Sequence, residues 1–256
     1  MTFLTAAILG IVEGITEFLP ISSTGHLILT QHLLRMQETD MLKSFDIAIQ
    51  LGAILAVVLI YGRSLKRTPK AWLPIIAAFI PTAIIGLLLH KIVKTYLLGN
   101  SSVVTWSLFI GGILIILFES TYQKNRMSTR SVEAIPLKTA FAVGLCQSLA
   151  LVPGVSRSGA TIIGGMLLGV ERRTIVDFSF LLAIPTMAAA TALDLLKSAG
   201  SFTAHDASAL GVGFLTAFVT AYIVIRWLLQ FIQTHTFTVF GVERIFVAIV
   251  FWVWVS

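Results

Sequence analysis

The chain has 256 residues, of which 57% are hydrophobic and 12% charged, with mean hydropathy +0.93. That excludes an ordinary soluble domain, in which roughly 25% of residues carry charge, and indicates a single all-α polytopic membrane domain over 1–256. The net charge of +6 fits cytoplasmic loops obeying the positive-inside rule better than nucleic-acid binding. The single cysteine, Cys146, excludes an intrachain disulfide. No cleavable signal peptide is expected, because MTFLTAAILG lacks a basic n-region and runs into Glu13.

The first notable stretch is IVEGITEFLPISSTGHLIL (11–29). It sets two carboxylates, hydroxyls and an imidazole inside apolar sequence. Glu13 and Glu17 are four residues apart, so on a helix they share one face. Pro20 stops that helix, having no N–H to donate and a ring that clashes with the preceding turn. Ser22, Ser23 and Thr24 are good caps for a second helix starting near Gly25, with His26 in its first turn. In a surface loop these groups would need no explanation. Within membrane-buried sequence, ionisable groups are costly and mark function. Residues 3–19 and 24–35 are each too short to span a bilayer, which takes about 20 apolar residues, and are expected to form a re-entrant hairpin. Spans follow near 45–62, 71–93 and 103–119.

The second half repeats this plan. An apolar stretch over 136–152 is broken by Pro153 and Gly154, a short arm covers 158–169, and spans follow near 174–196, 209–232 and 238–255. GIVEGITEFLPISS (10–23) resembles GLCQSLALVPGVS (144–156) with one gap, and Asp46 matches Asp177. Three crossings reverse the chain, so the halves (about 1–125 and 136–256) should form an inverted repeat, each a re-entrant hairpin plus three transmembrane helices. The basic loops 63–70 (Arg63, Lys66, Arg67, Lys70) and 120–135 (Lys124, Arg126, Arg130) are expected in the cytoplasm. The first hairpin then enters from outside, and Arg226 and Arg244 are expected as cytoplasmic-end anchors. Asp46 and Asp177 are expected to cap or anchor span starts.

The second break reads PGVSRSGAT (153–161). Exposed N–H groups at a helix start bind phosphate, and Arg157 adds a planar fork for paired phosphate oxygens. Ser158 and Thr161 add hydroxyl donors, and Ser156 can cap the helix. The two breaks are complementary, one acidic and one basic. A divalent cation, Mg²⁺ or Ca²⁺, held by Glu13 and Glu17 against a phosphate would balance the charge. Alternatively the glutamates orient His26 or Arg157 without ligating a metal.

EGITE (13–17), SSTGH (22–26) and PGVSRSGAT (153–161) together resemble the undecaprenyl-pyrophosphate phosphatase family linked to bacitracin resistance. The likeness extends through SFDIAIQLGAILAVV (44–58) and DFSFLLAIPTMAAATALDL (177–195). It implies removal of the terminal phosphate of a polyprenyl diphosphate lipid by a multi-pass protein of the bacterial cytoplasmic membrane, its active site opening to the outer face. It places catalysis on Ser23, His26, Glu17 and Arg157. Phosphate contacts are expected from Ser22 and Thr24 at one break and from Gly154, Ser156, Arg157, Ser158 and Thr161 at the other. Ser23 is the candidate nucleophile with His26 as base; His26 as nucleophile, or an activated water, stays open. The alternative function is a transporter or flippase of a phosphorylated polyprenyl lipid, since inverted repeats and midplane breaks are transporter features. The pairs Gly111-Gly112 and Gly164-Gly165 allow close helix approach, which also permits a homodimer.

Overall fold

The computed structural model describes residues 1–37, 39–97, 100–122, 129–198 and 204–254. Among these the chain is helical. A short helix, a break and a second short helix come first, as α1 (Phe3–Thr16) and α2 (Ser23–Leu33). Three longer helices follow, α3 (Asp40–Arg67), α4 (Trp72–Ile92) and α5 (Ser101–Thr121). The same order recurs in α6 (Leu137–Ser148), α7 (Arg157–Leu167), α8 (Arg172–Ser198), α9 (Ala204–Thr234) and α10 (Thr238–Trp254).

The boundaries follow local chemistry. The Thr39 side chain accepts from the Leu42 N–H at 3.1 Å, starting α3 ahead of the expected apolar span. Pro69 follows its end, since the residue before a proline is driven out of the helical region. The basic 63–70 segment is therefore mostly helix; Lys124 and Arg126 lie outside the described residues. Asp46 and Asp177 sit inside α3 and α8, not at caps. Gln31 donates to Asp46 at 2.9 Å, and Tyr61 to Asp177 at 2.5 Å, so each carboxylate ties its helix to another.

Six full spans were expected. Among the described residues five helices are long and apolar enough to cross a membrane, within α3, α4, α5, α8 and α9. Helix α10 has 17 residues, a length of about 25 Å at 1.5 Å per residue, just under the ~30 Å hydrocarbon core. It carries Glu243 and Arg244 near its middle.

Packing interlocks the halves. Helix α1 lies against α9, and its counterpart α6 lies against α4; α5 pairs with α10, and α3 packs on both α8 and α9. Each hairpin's first arm is thus buried against the opposite half. Glycine permits this at matching positions: a Cβ on Gly10 would run into the Gly213 carbonyl of α9, and one on Gly144 into the Ala78 carbonyl of α4. Both Gly-Gly pairs are used within the chain, Gly111 and Gly112 against α10, Gly164 and Gly165 against Cys146 and Ile175.

Candidate active site

The two breaks meet at the centre of the molecule. At the first, α1 ends at Thr16, and Glu17 keeps helical angles (φ −62°, ψ −40°), its N–H bonded to the Glu13 carbonyl at 2.9 Å. The two glutamates therefore do share a face. The chain then turns through Pro20, and Ser22 (φ 75°, ψ 97°) precedes α2. At the second break Ser156 adopts nearly the same angles, φ 77° and ψ 115°, before α7. Positive φ is rare for residues with a side chain, yet a serine adopts it at each break, directly before the helix that Ser23 or Arg157 opens.

As first residues of their helices, Ser23 and Arg157 converge on one carboxylate. Ser23 Oγ donates to Glu17 Oε2 at 2.5 Å, and Arg157 Nη2 donates to Glu17 Oε1 at 2.8 Å. Arg157 Nη1 donates to the Ser179 carbonyl at 2.9 Å, and the guanidinium lies 5.8 Å from the Phe18 ring centroid. Its Nε is buried without a partner, as is Ser179 Oγ. Ser179 and Phe18, which complete the arginine's setting, look like ordinary apolar-helix residues in the sequence.

Glu13 is fully buried, and neither carboxylate oxygen has a hydrogen-bond partner. Its charged neighbours are Glu17, Asp46 and Arg157. No group of three or more His, Cys, Asp or Glu side chains suited to a metal occurs among the described residues. Two carboxylates, one with both oxygens unused, still match a hard cation that takes one or two carboxylates and completes its shell with phosphate oxygens.

His26 faces another way. Its Nδ1 is 2.8 Å from the Ser22 carbonyl, and its Nε2 is 2.6 Å from Glu243 Oε1 on α10. The hydroxyl of Ser23 goes to Glu17 and both imidazole nitrogens are engaged elsewhere. The expected Ser23–His26 pair is thus two neighbouring side chains with separate partners.

The remaining residues of the second break build structure around this centre. Ser156 Oγ accepts from the Gly159 N–H at 3.0 Å, and Ser158 Oγ donates to the Leu19 carbonyl of the first break at 2.7 Å. Thr161 donates to the Arg157 carbonyl at 2.8 Å and to Gln147 Oε1 at 3.3 Å. Gln147, at the repeat position of Glu13, is held in turn by Thr82 and Thr186. Gly154 has φ 91°, and a Cβ there would press on the Val104 carbonyl. Thr24 is half-buried in the first turn of α2.

Arg244 is the main correction. It was expected at a cytoplasmic helix end, yet it is 1% exposed at the joint of both breaks. It donates to the carbonyls of Pro20 (3.3 Å), Gly154 (2.8 Å) and Val155 (2.9 Å), and to Ser107 (2.9 Å) and Leu108 (3.4 Å) on α5. Broken helices leave carbonyls without helical partners; Arg244 supplies donors to those of Pro20, Gly154 and Val155. Sequence carried a signal for both α10 residues: two adjacent charges within TVFGVERIFVAIV (238–250), where ionisable groups point to a role inside the protein.

A family model described as "Bacitracin resistance protein BacA" matches residues 6–250. Among curated proteins, the undecaprenyl-diphosphatase of Aquifex aeolicus is 55% identical over 251 residues, covering 98% of each chain. That of a Sulfurihydrogenibium species is 49% identical, covering 99% of this chain and all of the relative. That of Thermus thermophilus is 48% identical, covering 96% of this chain and 95% of the relative.

Proposed function

Because the chain belongs to the bacitracin resistance protein BacA family, we infer that it is a membrane phosphatase that hydrolyses undecaprenyl diphosphate to undecaprenyl phosphate and inorganic phosphate. Removal of that phosphate recycles the cell-wall lipid carrier and opposes bacitracin. The observation that carries the reading is the convergence of Ser23 and Arg157 on Glu17. It sets a hydroxyl, a proton acceptor and a phosphate-binding fork within one small buried site.

The terminal phosphate is proposed to sit at the start of α2. Ser22 makes no side-chain cap there, so first-turn amides of α2 remain available to an anion. Ser23 Oγ attacks phosphorus and passes its proton to Glu17 Oε2. The bond from phosphorus to the bridging oxygen breaks, and the lipid monophosphate leaves with the electron pair. Water then attacks the phosphoserine, and Ser23 recovers a proton as inorganic phosphate departs. In this scheme Glu17 takes the base role expected of His26, because the serine's hydrogen bond goes to Glu17. Arg157 stabilises charge on the transferring group, the main source of catalysis in phosphoryl transfer. Glu13, with Glu17, would hold a divalent cation, whose charge when bound offsets that of the diphosphate. An apolar groove of about 520 Å³ supports a place for the prenyl chain. It runs along Trp106, Ile110, Leu114, Leu149 and Val152 to Val155, beside the second break.

Purified protein in detergent is expected to release phosphate from undecaprenyl diphosphate, to stop in excess chelator, and to recover with Mg²⁺ or Ca²⁺. Full activity in chelator would remove the cation from the mechanism. No release with any metal would favour the lipid transporter, which has no sidedness to act on in detergent.

The exchanged packing of the halves and the paired serine turns support an inverted repeat in the bacterial cytoplasmic membrane, with the first hairpin entering from outside. In a Cys146→Ser background, single cysteines at Ser64 and Asn125 are expected to label only from the cytoplasm, and one at Asn100 only from outside. Ser64 and Asn100 are exposed; Asn125 lies outside the described residues. The opposite pattern would reverse the orientation and turn the site to the cytoplasm.

A further inference from the structure

The two breaks share one strained turn but hold it by different means. Ser22 and Ser156 both have positive φ, a conformation that persists only where the surroundings enforce it. At Ser156 the residue's own hydroxyl does so, capping the Gly159 N–H at 3.0 Å. Ser22 makes no such cap. Its carbonyl accepts a long helical bond from the His26 N–H at 3.3 Å and is held more closely by His26 Nδ1 at 2.8 Å, and the other end of that ring is held by Glu243 at 2.6 Å.

We propose that Glu243 is a positioning residue for the reaction: through His26 it holds the Ser22 turn that aims Ser23 at Glu17 and leaves the first amides of α2 open to the substrate's terminal phosphate. A carbonyl oxygen only accepts, so Nδ1 carries a hydrogen. That leaves Nε2 to Glu243, and with both nitrogens fixed the ring cannot turn. The second oxygen of Glu243 is buried and has no partner, so the carboxylate is committed to His26 alone. On the next residue of α10, Arg244 grips the Pro20 carbonyl on the other side of the same break. Successive helical residues diverge by about 100°, which lets α10 support the first break from two directions. Ser22 and Ser23 are adjacent in the chain, so losing the shorter of the two bonds to the Ser22 carbonyl loosens the backbone that directs Ser23 Oγ. The relation of Glu243 to His26 follows a familiar logic, in which a ring's orientation is set by the group bonded to its far nitrogen.

This proposal rests on the phosphatase reading, and its test separates the two. In Glu243→Gln the amide N–H donates to Nε2 of the same Nδ1–H ring, so turnover should stay within about threefold of wild type. In Glu243→Ala, kcat should fall about 10- to 100-fold, the scale of a small misplacement of a reacting group, with KM within about twofold. The double variant His26→Gln/Glu243→Ala should be no worse than the more damaging single. Independently of activity, the ¹⁵N-histidine NMR spectrum should show a protonated Nδ1 for His26, assigned by its loss in His26→Gln. That signal should be kept in Glu243→Gln and lost in Glu243→Ala. Wild-type kcat in the alanine variant, a glutamine variant as impaired as the alanine one, or a spectrum indifferent to Glu243 would each overturn the proposal. If the alanine variant does not fold, the kcat and spectrum of the glutamine variant decide the matter. A wild-type protein that releases no phosphate would remove the phosphatase reading, while the spectrum still tests the hold of Glu243 on the ring.

Discussion

Arg157→Lys is expected to lower turnover by at least about 10²-fold, the scale of losing one donor to transition-state charge, in a protein that still folds. The guanidinium does several things at once. One terminal nitrogen holds Glu17 and the other the Ser179 carbonyl, while the plane of the group lies near the Phe18 ring. Those contacts fix the fork, so paired phosphate oxygens meet a surface already oriented for them. A lysine ammonium is a single point of charge on a flexible stem and cannot span Glu17, Ser179 and a phosphate together. Because the positive charge remains, Glu17 is not left as an unpaired buried carboxylate, a loss that costs about 3–5 kcal/mol. Size-exclusion profile and thermal midpoint should therefore change little while phosphate release collapses. A lysine variant within twofold of wild type would show that charge alone suffices and that the fork is unimportant.

Ser23→Ala is expected to reduce kcat by about 10³-fold or more, in the range found when a nucleophile is deleted. Ser23 is buried, 8% exposed, but only one oxygen is lost and little packing with it. The hydroxyl's hydrogen bond to Glu17 predicts a further result. Glu17→Gln should also be severe, and Ser23→Ala/Glu17→Gln should be little worse than the more damaging single, since groups acting as a unit are non-additive. The glutamine change leaves Arg157 without its carboxylate, so melting curves must accompany the rates. Rapid quench should trap an acid-stable phosphoserine. Near-normal turnover in Ser23→Ala would rule out serine attack and leave His26 or an activated water as nucleophile.

The centre was partly legible because its signals are local. Glu13 and Glu17 share a face by spacing, Pro20 must break a helix, and an arginine following Pro-Gly within apolar sequence asks for an anion. Each follows from a few adjacent residues. What was not legible depends on distant partners. His26 meets Glu243 across 217 positions, a partner that no local pattern around the imidazole indicates. Arg244 read as a helix-end anchor because its five carbonyl partners belong to three other segments.

The bonds that join the breaks have a consequence for movement. Arg157 to Glu17, Ser158 to Leu19, and Arg244 to Pro20, Gly154 and Val155 all cross between polypeptide halves or brace them from a third side. A carrier that works by rocking one repeat past the other needs its sliding seam where its broken helices meet. Here that seam is cross-linked, and the links run through the proposed catalytic groups or the residues beside them. Those cross-links tie the two breaks into one unit.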